Sequence, residues 1–194
     1  MVRKFINKEK GYWQSKDPGH MTSKDLQKLL VDFCKNNAIK SLVDFGCGDA
    51  SYIRSIRYNV QGIEIIKAFD GNPNVNFISG GLGQQQDLTE PFELDHKFDL
   101  VLSLEVAEHI PKKYESIYVD NLVKHCKKHL IMSWAIVGQS GAGHVNCQNN
   151  DYVIELFTKL GFSYQKQESL MMRQLIVGNC LYFRNTIMYF KKDC

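Results

Sequence analysis

Residues 42–50 read Leu-Val-Asp-Phe-Gly-Cys-Gly-Asp-Ala, and this stretch decides the fold. An apolar run carrying a carboxylate, Asp44, ends in a sharp turn through Gly46 and Gly48. Glycines there let the backbone approach a ligand more closely than a Cβ permits. Asp44 stands at the carboxyl end of the expected strand, the edge at which open α/β sheets bind ligands. A loop that cradles phosphate wants peptide N–H donors and no anion beside them, so Asp44 argues against a pyrophosphate. It suits a positively charged ligand, such as an amino acid or a sulfonium. The dinucleotide fingerprint also needs a third glycine three residues after the second, and this chain has Ser51 there.

On Asp44, Gly46 and Gly48 the turn resembles motif I of the class I S-adenosylmethionine-dependent methyltransferases, with Ala50 where that motif usually ends in glycine. The resemblance implies one methyltransferase domain over residues 1–194, with residues 1–21 as an N-terminal lid segment. It implies an α/β, Rossmann-like sheet of seven strands, mostly parallel, with helices on both faces and the last strand antiparallel. S-adenosylmethionine is the implied cofactor and S-adenosylhomocysteine the product.

Composition agrees with a soluble globular chain. The 194 residues are 44% hydrophobic and 23% charged, enough for one sizeable core and too few for two conventional domains. A net charge of +3 gives no basic stripe and does not by itself point to nucleic acid. Six cysteines, at 34, 47, 126, 147, 180 and 194, include no C-x-x-C pair and read as free thiols of a reducing compartment. The polar, charged N-terminus carries no signal peptide, and no transmembrane run is present, so a cytoplasmic location is expected.

The pattern alternates helix and strand. A helix is predicted over 22–36, capped by Thr22 or Ser23, with strands over 41–45 and 65–69 and a helix over 50–58 between them. Residues 75–78 read as a short third strand, followed by a polar glycine- and glutamine-rich loop. The nearly continuous apolar run 98–104 is a fourth strand with both faces buried. Pro111 opens a helix to about residue 127, and 130–134 form a fifth strand. A helix over 150–160 stops at Gly161. Further strands are predicted over 164–167 and 186–190, with a helical stretch between them.

A nucleoside ribose needs a carboxylate about 20 residues after the glycine turn. Glu64 and Asp70 are the candidates, and Asp70 is preferred because it ends the apolar run 65–69 instead of preceding it. Asp87-Leu88-Thr89 matches the family's third signature, in which the acid reaches the adenine amino group and the apolar residue flanks the ring. By that resemblance Asp87 and Leu88 take those roles, and Leu104, at the end of the fourth strand, completes the cofactor set.

Methyl transfer from a sulfonium is an in-line displacement, and a base is needed only where the acceptor must lose a proton. Glu105 and His109 are spaced i, i+4 and share a face if that stretch is helical. His144 lies in a loop over 138–146, with glycines at 138, 141 and 143, and is the preferred general base. Glu105, Glu108, His109 and His144 together offer two carboxylates and two imidazoles to a divalent cation. Glu105-x-x-Glu108-His109 resembles the run used by small-RNA 3′-end 2′-O-methyltransferases. Glu-His at this place also occurs in metal-independent members, where the histidine braces the cofactor loop, and that reading is preferred. Glu-His-Ile-Pro with Gly-His-Val-Asn also looks like a methyltransferase subgroup whose signature identifies no substrate. Tyr12, Trp13 and His20 resemble the segment that closes over the cofactor. The resulting expectation is O-methylation of a small molecule. Metal-dependent 2′-O-methylation of an RNA end, and cofactor binding without catalysis, are the alternatives; nucleic acid is disfavoured and no membrane partner is expected.

Overall fold

A computed structural model describes residues 6–16 and 19–193. Helix α1 (Lys24–Asn36) begins at Ser23, whose side chain accepts the Leu26 N–H, and packs Leu26, Leu30 and Phe33 inward. The chain continues through β1 (Ser41–Phe45), α2 (Ser51–Asn59) and β2 (Ile65–Asp70). After α3 (Val75–Ile78) come β3 (Gln84–Gln85) and β4 (Phe98–Ser103). Two 3-10 turns, Ala107–His109 and Lys112–Tyr114, lead into α4 (Glu115–His125) and β5 (Cys126–Ser133). Then follow α5 (Asn150–Lys159), β6 (Phe162–Tyr164), α6 (Lys166–Leu175), α7 (Phe183–Thr186) and β7 (Ile187–Lys192).

The strands form one seven-stranded sheet in the order β3-β2-β1-β4-β5-β7-β6. The first five strands run parallel, and β7 is antiparallel to both β5 and β6. This is the Rossmann-like sheet that the motif implies. Strand alternation divides the core between two faces. Leu42, Leu100, Leu102, Ile131 and Ile187 face the layer that contains α1 and α2. Val43, Phe45, Val101, Leu130, Met132 and Met188 face the layer that contains α4 and α5. Such double-sided burial explains why β1 and β4 read as unbroken apolar runs.

Several expectations are corrected. Residues 75–78 are helical, because Asn72 Oδ1 accepts the Asn74 N–H at 2.9 Å and turns the chain after Pro73. On a strand Val75 and Phe77 would share a face, yet Val75 is 1% exposed and Phe77 72%. The third strand is instead the exposed pair Gln84–Gln85, an edge strand whose polar residues carry no alternation to read. Strand β5 begins four residues early, at Cys126, behind Lys127 and Lys128, which lie 3.5 and 3.8 Å from Asp99. Residues 166 and 167 open α6 and do not extend a strand. The helix after Pro111 starts only at Glu115 and ends at His125.

The described cysteines, five in all, are free, and Cys194 lies outside the described residues. Among the described residues no helix is long and apolar enough to cross a membrane.

Candidate functional site

A cleft of about 350 Å³ opens at the carboxyl edge of β1, β2 and β4. The crossovers on either side of β1 diverge there, so this edge is a topological switch point. The chain leaves β1 through Gly46, at φ 89°, whose N–H donates to the Phe69 carbonyl at 2.7 Å. A Cβ at Gly46 would lie 2.2 Å from Cγ2 of Val106, so no side chain fits. Gly48 donates its N–H to Asp70 Oδ2 at 2.9 Å, tying the glycine turn to the end of β2. Asp44, Gly46, Gly48 and Asp70 all line the cleft, whereas Glu64 precedes β2 at the opposite edge of the sheet.

Asp44 is buried, and burial, with Asp70 and Asp49 nearby, pushes its carboxyl up to about 8. A cation arriving in the cleft would reverse that penalty, which is the electrostatic signature of a site for a positively charged ligand. Asp87 and Leu88 line the far side of the cleft. Asp87 Oδ1 is held by the Thr89 N–H and hydroxyl at 2.9 and 2.6 Å, and Oδ2 faces the Lys10 ammonium at 3.5 Å. Leu104, Glu105 and His109 complete the predicted residues found on its wall.

The described part of the N-terminal segment lies over this cleft. Ile6 and Trp13 form an isolated antiparallel bridge, and Asn72 and Asn74 donate their amides to the carbonyls of Ser15 and Gln14. Tyr12, Trp13 and His20 line the cleft, with His20 Nε2 against the Gly48 turn. The expected lid at 1–5 and 17–18 falls outside the described residues. Lys10 also lines the cleft, and in the sequence one more lysine in a charged terminus carries no signal.

The stretch after β4 differs from the expectation of a helix. Glu105 is left-handed, at φ 55°, and its N–H donates to Ser133 Oγ at 2.7 Å. A non-glycine residue there costs about 1–2 kcal/mol, a strain typical of functional sites. Only Ala107–His109 forms a 3-10 turn, so the i, i+4 face of Glu105 and His109 does not exist. Glu105 is instead held by Gln139 Nε2 at 2.9 Å and Thr186 Oγ1 at 3.3 Å. Burial raises its carboxyl, and Ser133, Gln139 and Thr186 oppose the rise.

His144 is not among the cleft-lining residues. Its loop folds back: Val145 and Asn146 donate their N–H groups to the Glu108 carbonyl at 2.8 and 3.0 Å. The His144 ring fills the space beside Gly141, where a Cβ would sit 2.0 Å from Nε2. It packs edge-on against His109, with ring centroids 5.0 Å apart, and its Nε2 lies 3.8 Å from Glu108 Oε1. Ligand-capable atoms of Glu108, His109 and His144 all lie within 4.8 Å of one another.

Glu108 is completely buried, and among the described residues neither of its carboxylate oxygens has a hydrogen-bond partner. Burial and the adjacent Glu105 carboxylate push Glu108 well above the usual carboxylate range, and the nearby Glu108 and Ala135 N–H groups offset only part of this. Burial and His144 lower His109 to about 4, against an opposing contribution from the Gly143 backbone. His144 is lowered by burial, against the Gln139 carbonyl. Two neutral imidazoles thus lie beside a buried carboxyl that makes no well-formed hydrogen bond among the described residues, and the Glu105 carboxyl stands next to it. Leaving such a group unpaired costs several kcal/mol, and a divalent cation bound by imidazole and carboxylate would remove that cost. The residues present fit such an ion.

Residues 19–167 match a family model described as a methyltransferase domain. The fold is similar to the methyltransferase domain of bacterial CtHen1-C, with a TM-score of 0.65 at 13% identity over 88% of this chain and 98% of that one. It is also similar to magnesium protoporphyrin IX methyltransferase from Synechocystis PCC 6803 with bound SAH, with a TM-score of 0.62 at 15% identity over 92% and 91%. Small RNA methyltransferase HEN1 gives a TM-score of 0.68 at 16% identity over 88% of this chain and 25% of that one. No curated protein sequence matches the chain.

Proposed function

The chain belongs to the methyltransferase-domain family, and from that premise we propose that it moves a methyl group from S-adenosylmethionine to a hydroxyl oxygen beside a divalent cation. The observation that carries the cation is Glu108, a fully buried carboxyl that among the described residues makes no well-formed hydrogen bond and lies within 4.8 Å of His109 and His144 at its ligand-capable atoms.

Each end of the cleft contributes separately. Asp44 attracts the cationic methionine end of the cofactor, and Gly46 and Gly48 let the backbone come close to it. Asp70 accepts from the ribose hydroxyls, while Asp87 and Leu88 take the adenine amino group and ring face. Glu108, His109 and His144 would hold the cation, and Glu105, fixed by Gln139 and Thr186, stands beside Glu108. When bound, the ion would supply Lewis acidity that eases loss of the acceptor hydroxyl's proton to solvent as the methyl leaves the sulfonium and S-adenosylhomocysteine is formed. His144 therefore acts as a ligand in this reading and not as a general base. The described N-terminal segment lies over the site.

The acceptor is a small hydroxylated molecule in the preferred reading. Among the described residues that line the cleft, Lys10 is the one lysine or arginine, and it is paired with Asp87 and Glu90. A nucleic-acid end needs several such cations on its phosphates. The second reading, an RNA 3′ end, is favoured by the Glu105-x-x-Glu108-His109 run together with His144.

The test is transfer of labelled methyl from S-adenosylmethionine into fractionated cell extract, with EDTA and with Mn²⁺ added back. Label entering small molecules, lost with EDTA and restored by Mn²⁺, supports the preferred reading. The same metal dependence in RNA selects the second. Transfer indifferent to EDTA refutes the cation. Cofactor binding with no transfer to any fraction favours a non-catalytic binding protein.

A further inference from the structure

We propose that Asn146 and Glu115 form a positioning pair that sets the geometry of the Glu108–His109–His144 cluster; the inference rests on the cation-site reading above. Neither side chain is a ligand in that reading. They act through the backbone that carries the ligands.

Asn146 is only 5% exposed, and each of its polar groups is engaged. Its Nδ2 donates to Glu115 Oε2 at 2.8 Å, and its Oδ1 accepts from Gln148 Nε2 at 2.8 Å. Its N–H donates to the Glu108 carbonyl at 3.0 Å, and its carbonyl accepts from Trp134 Nε1 at 2.6 Å. One residue thus clamps the loop that carries His144 onto the turn that carries Glu108, and onto Trp134, just beyond β5.

Glu115 anchors that clamp. It sits in the first turn of α4, where a carboxylate complements the helix dipole. It accepts from Lys112 Nζ at 2.7 and 2.9 Å and from the hydroxyl of Tyr152 on α5. Burial works to raise its carboxyl, but Lys112, Tyr152 and Asn146 outweigh that and hold it below the usual range. Glu115 is therefore an ionised acceptor that requires a donor at position 146. Asparagine provides one, and aspartate would set two carboxylates against each other.

Groups that orient metal ligands without touching the metal are commonly worth about 10–100-fold in affinity. The experiment is a Mn²⁺ titration, by calorimetry and electron paramagnetic resonance, of the full chain. It compares wild type, Asn146→Asp, Glu115→Gln and the double variant. S-adenosylhomocysteine affinity is measured on the same samples. Asn146→Asp should weaken Mn²⁺ binding by about tenfold or more, with cofactor affinity unchanged. The double variant reverses the donor and acceptor, since a glutamine amide can donate to the new aspartate, and it should recover most of the loss. If Asn146→Asp does not fold, Asn146→Ala removes the donor without adding charge and should show the same Mn²⁺ defect. Wild-type Mn²⁺ affinity in the single variant that folds overturns the proposal. So does a double variant that recovers nothing, or a parallel loss of cofactor affinity. A wild-type protein that binds no Mn²⁺ overturns the cation-site reading itself and is a separate outcome.

Discussion

Replacing Asp44 by asparagine is expected to stabilise the ligand-free protein while weakening its hold on a cationic ligand. Asp44 is 2% exposed, and burial, Asp70 and Asp49 push its carboxyl from 3.8 up to about 8. The unfolded chain releases that proton near pH 4. Between about pH 4 and pH 8 the folded protein therefore holds a proton that the unfolded chain has lost, and stability falls as pH rises through that window. Roughly 4 pKa units at about 1.4 kcal/mol each set a ceiling of about 6 kcal/mol at pH 8 and above. Solvent in the open cleft reduces the expected gain from Asp44→Asn to about 2–3 kcal/mol. At roughly 2–4 °C per kcal/mol, the variant should melt about 4–12 °C above wild type at pH 8.5. The two should nearly coincide at pH 4.5. Differential scanning calorimetry of both proteins from pH 4.5 to 8.5 measures the difference directly. Calorimetric titration with S-adenosylmethionine should show wild-type affinity rising with pH toward 8, as the cation selects ionised Asp44, and a weaker variant without that rise. A melting difference absent at pH 8.5, or constant across the pH range, would refute the burial argument.

The other predictions concern separate parts of the molecule. Glu108→Gln should reduce Mn²⁺ affinity by about 100-fold or more, since it removes a charged ligand, yet unfold no earlier than metal-free wild type; isothermal titration and a thermal melt measure the two. Gly46→Ala should cost about 2 kcal/mol or more, because the Cβ would lie 2.2 Å from Val106 at a φ of 89°. Urea unfolding measures that loss, and S-adenosylhomocysteine binding should fall with it. Ala38→Gly should stabilise by about 1 kcal/mol, because exposed Ala38 follows α1 in a left-handed conformation at φ 48°. Unchanged stability in that variant would show that the local strain is already relieved.

Much of the sheet was legible because its signals are local. The apolar run at 98–103 has both faces buried, and Ser23 caps α1 through a single hydrogen bond. Misreadings fell where local pattern and tertiary environment diverge. Val75 and Phe77 look like strand residues until their opposite exposures are known. Gln84–Gln85 is a strand only because β2 lies beside it. Glu105 and His109 suggest a helical face, but the left-handed backbone at Glu105, bonded to Ser133 from β5, breaks it. Lys10, a site residue by position, carries no sequence signal because its partners Asp87 and Glu90 lie far along the chain.

The sequence by itself determined most of the alternation of helix and strand, the glycine turn and the acids at the strand ends, since spacing, turn chemistry and buried runs depend on neighbours along the chain. Only the tertiary structure decided which polar groups remain unsatisfied once the loops meet. It gave Glu105 donors from Gln139 and Thr186 and, among the described residues, left both carboxyl oxygens of Glu108 without a well-formed hydrogen bond. It also folded His144 away from the cleft and toward Glu108 through backbone bonds made by Val145 and Asn146. Hydrogen-bond satisfaction is settled by contacts between segments remote in sequence, and a buried carboxylate with no donor is a property of the assembled edge rather than of any stretch of residues.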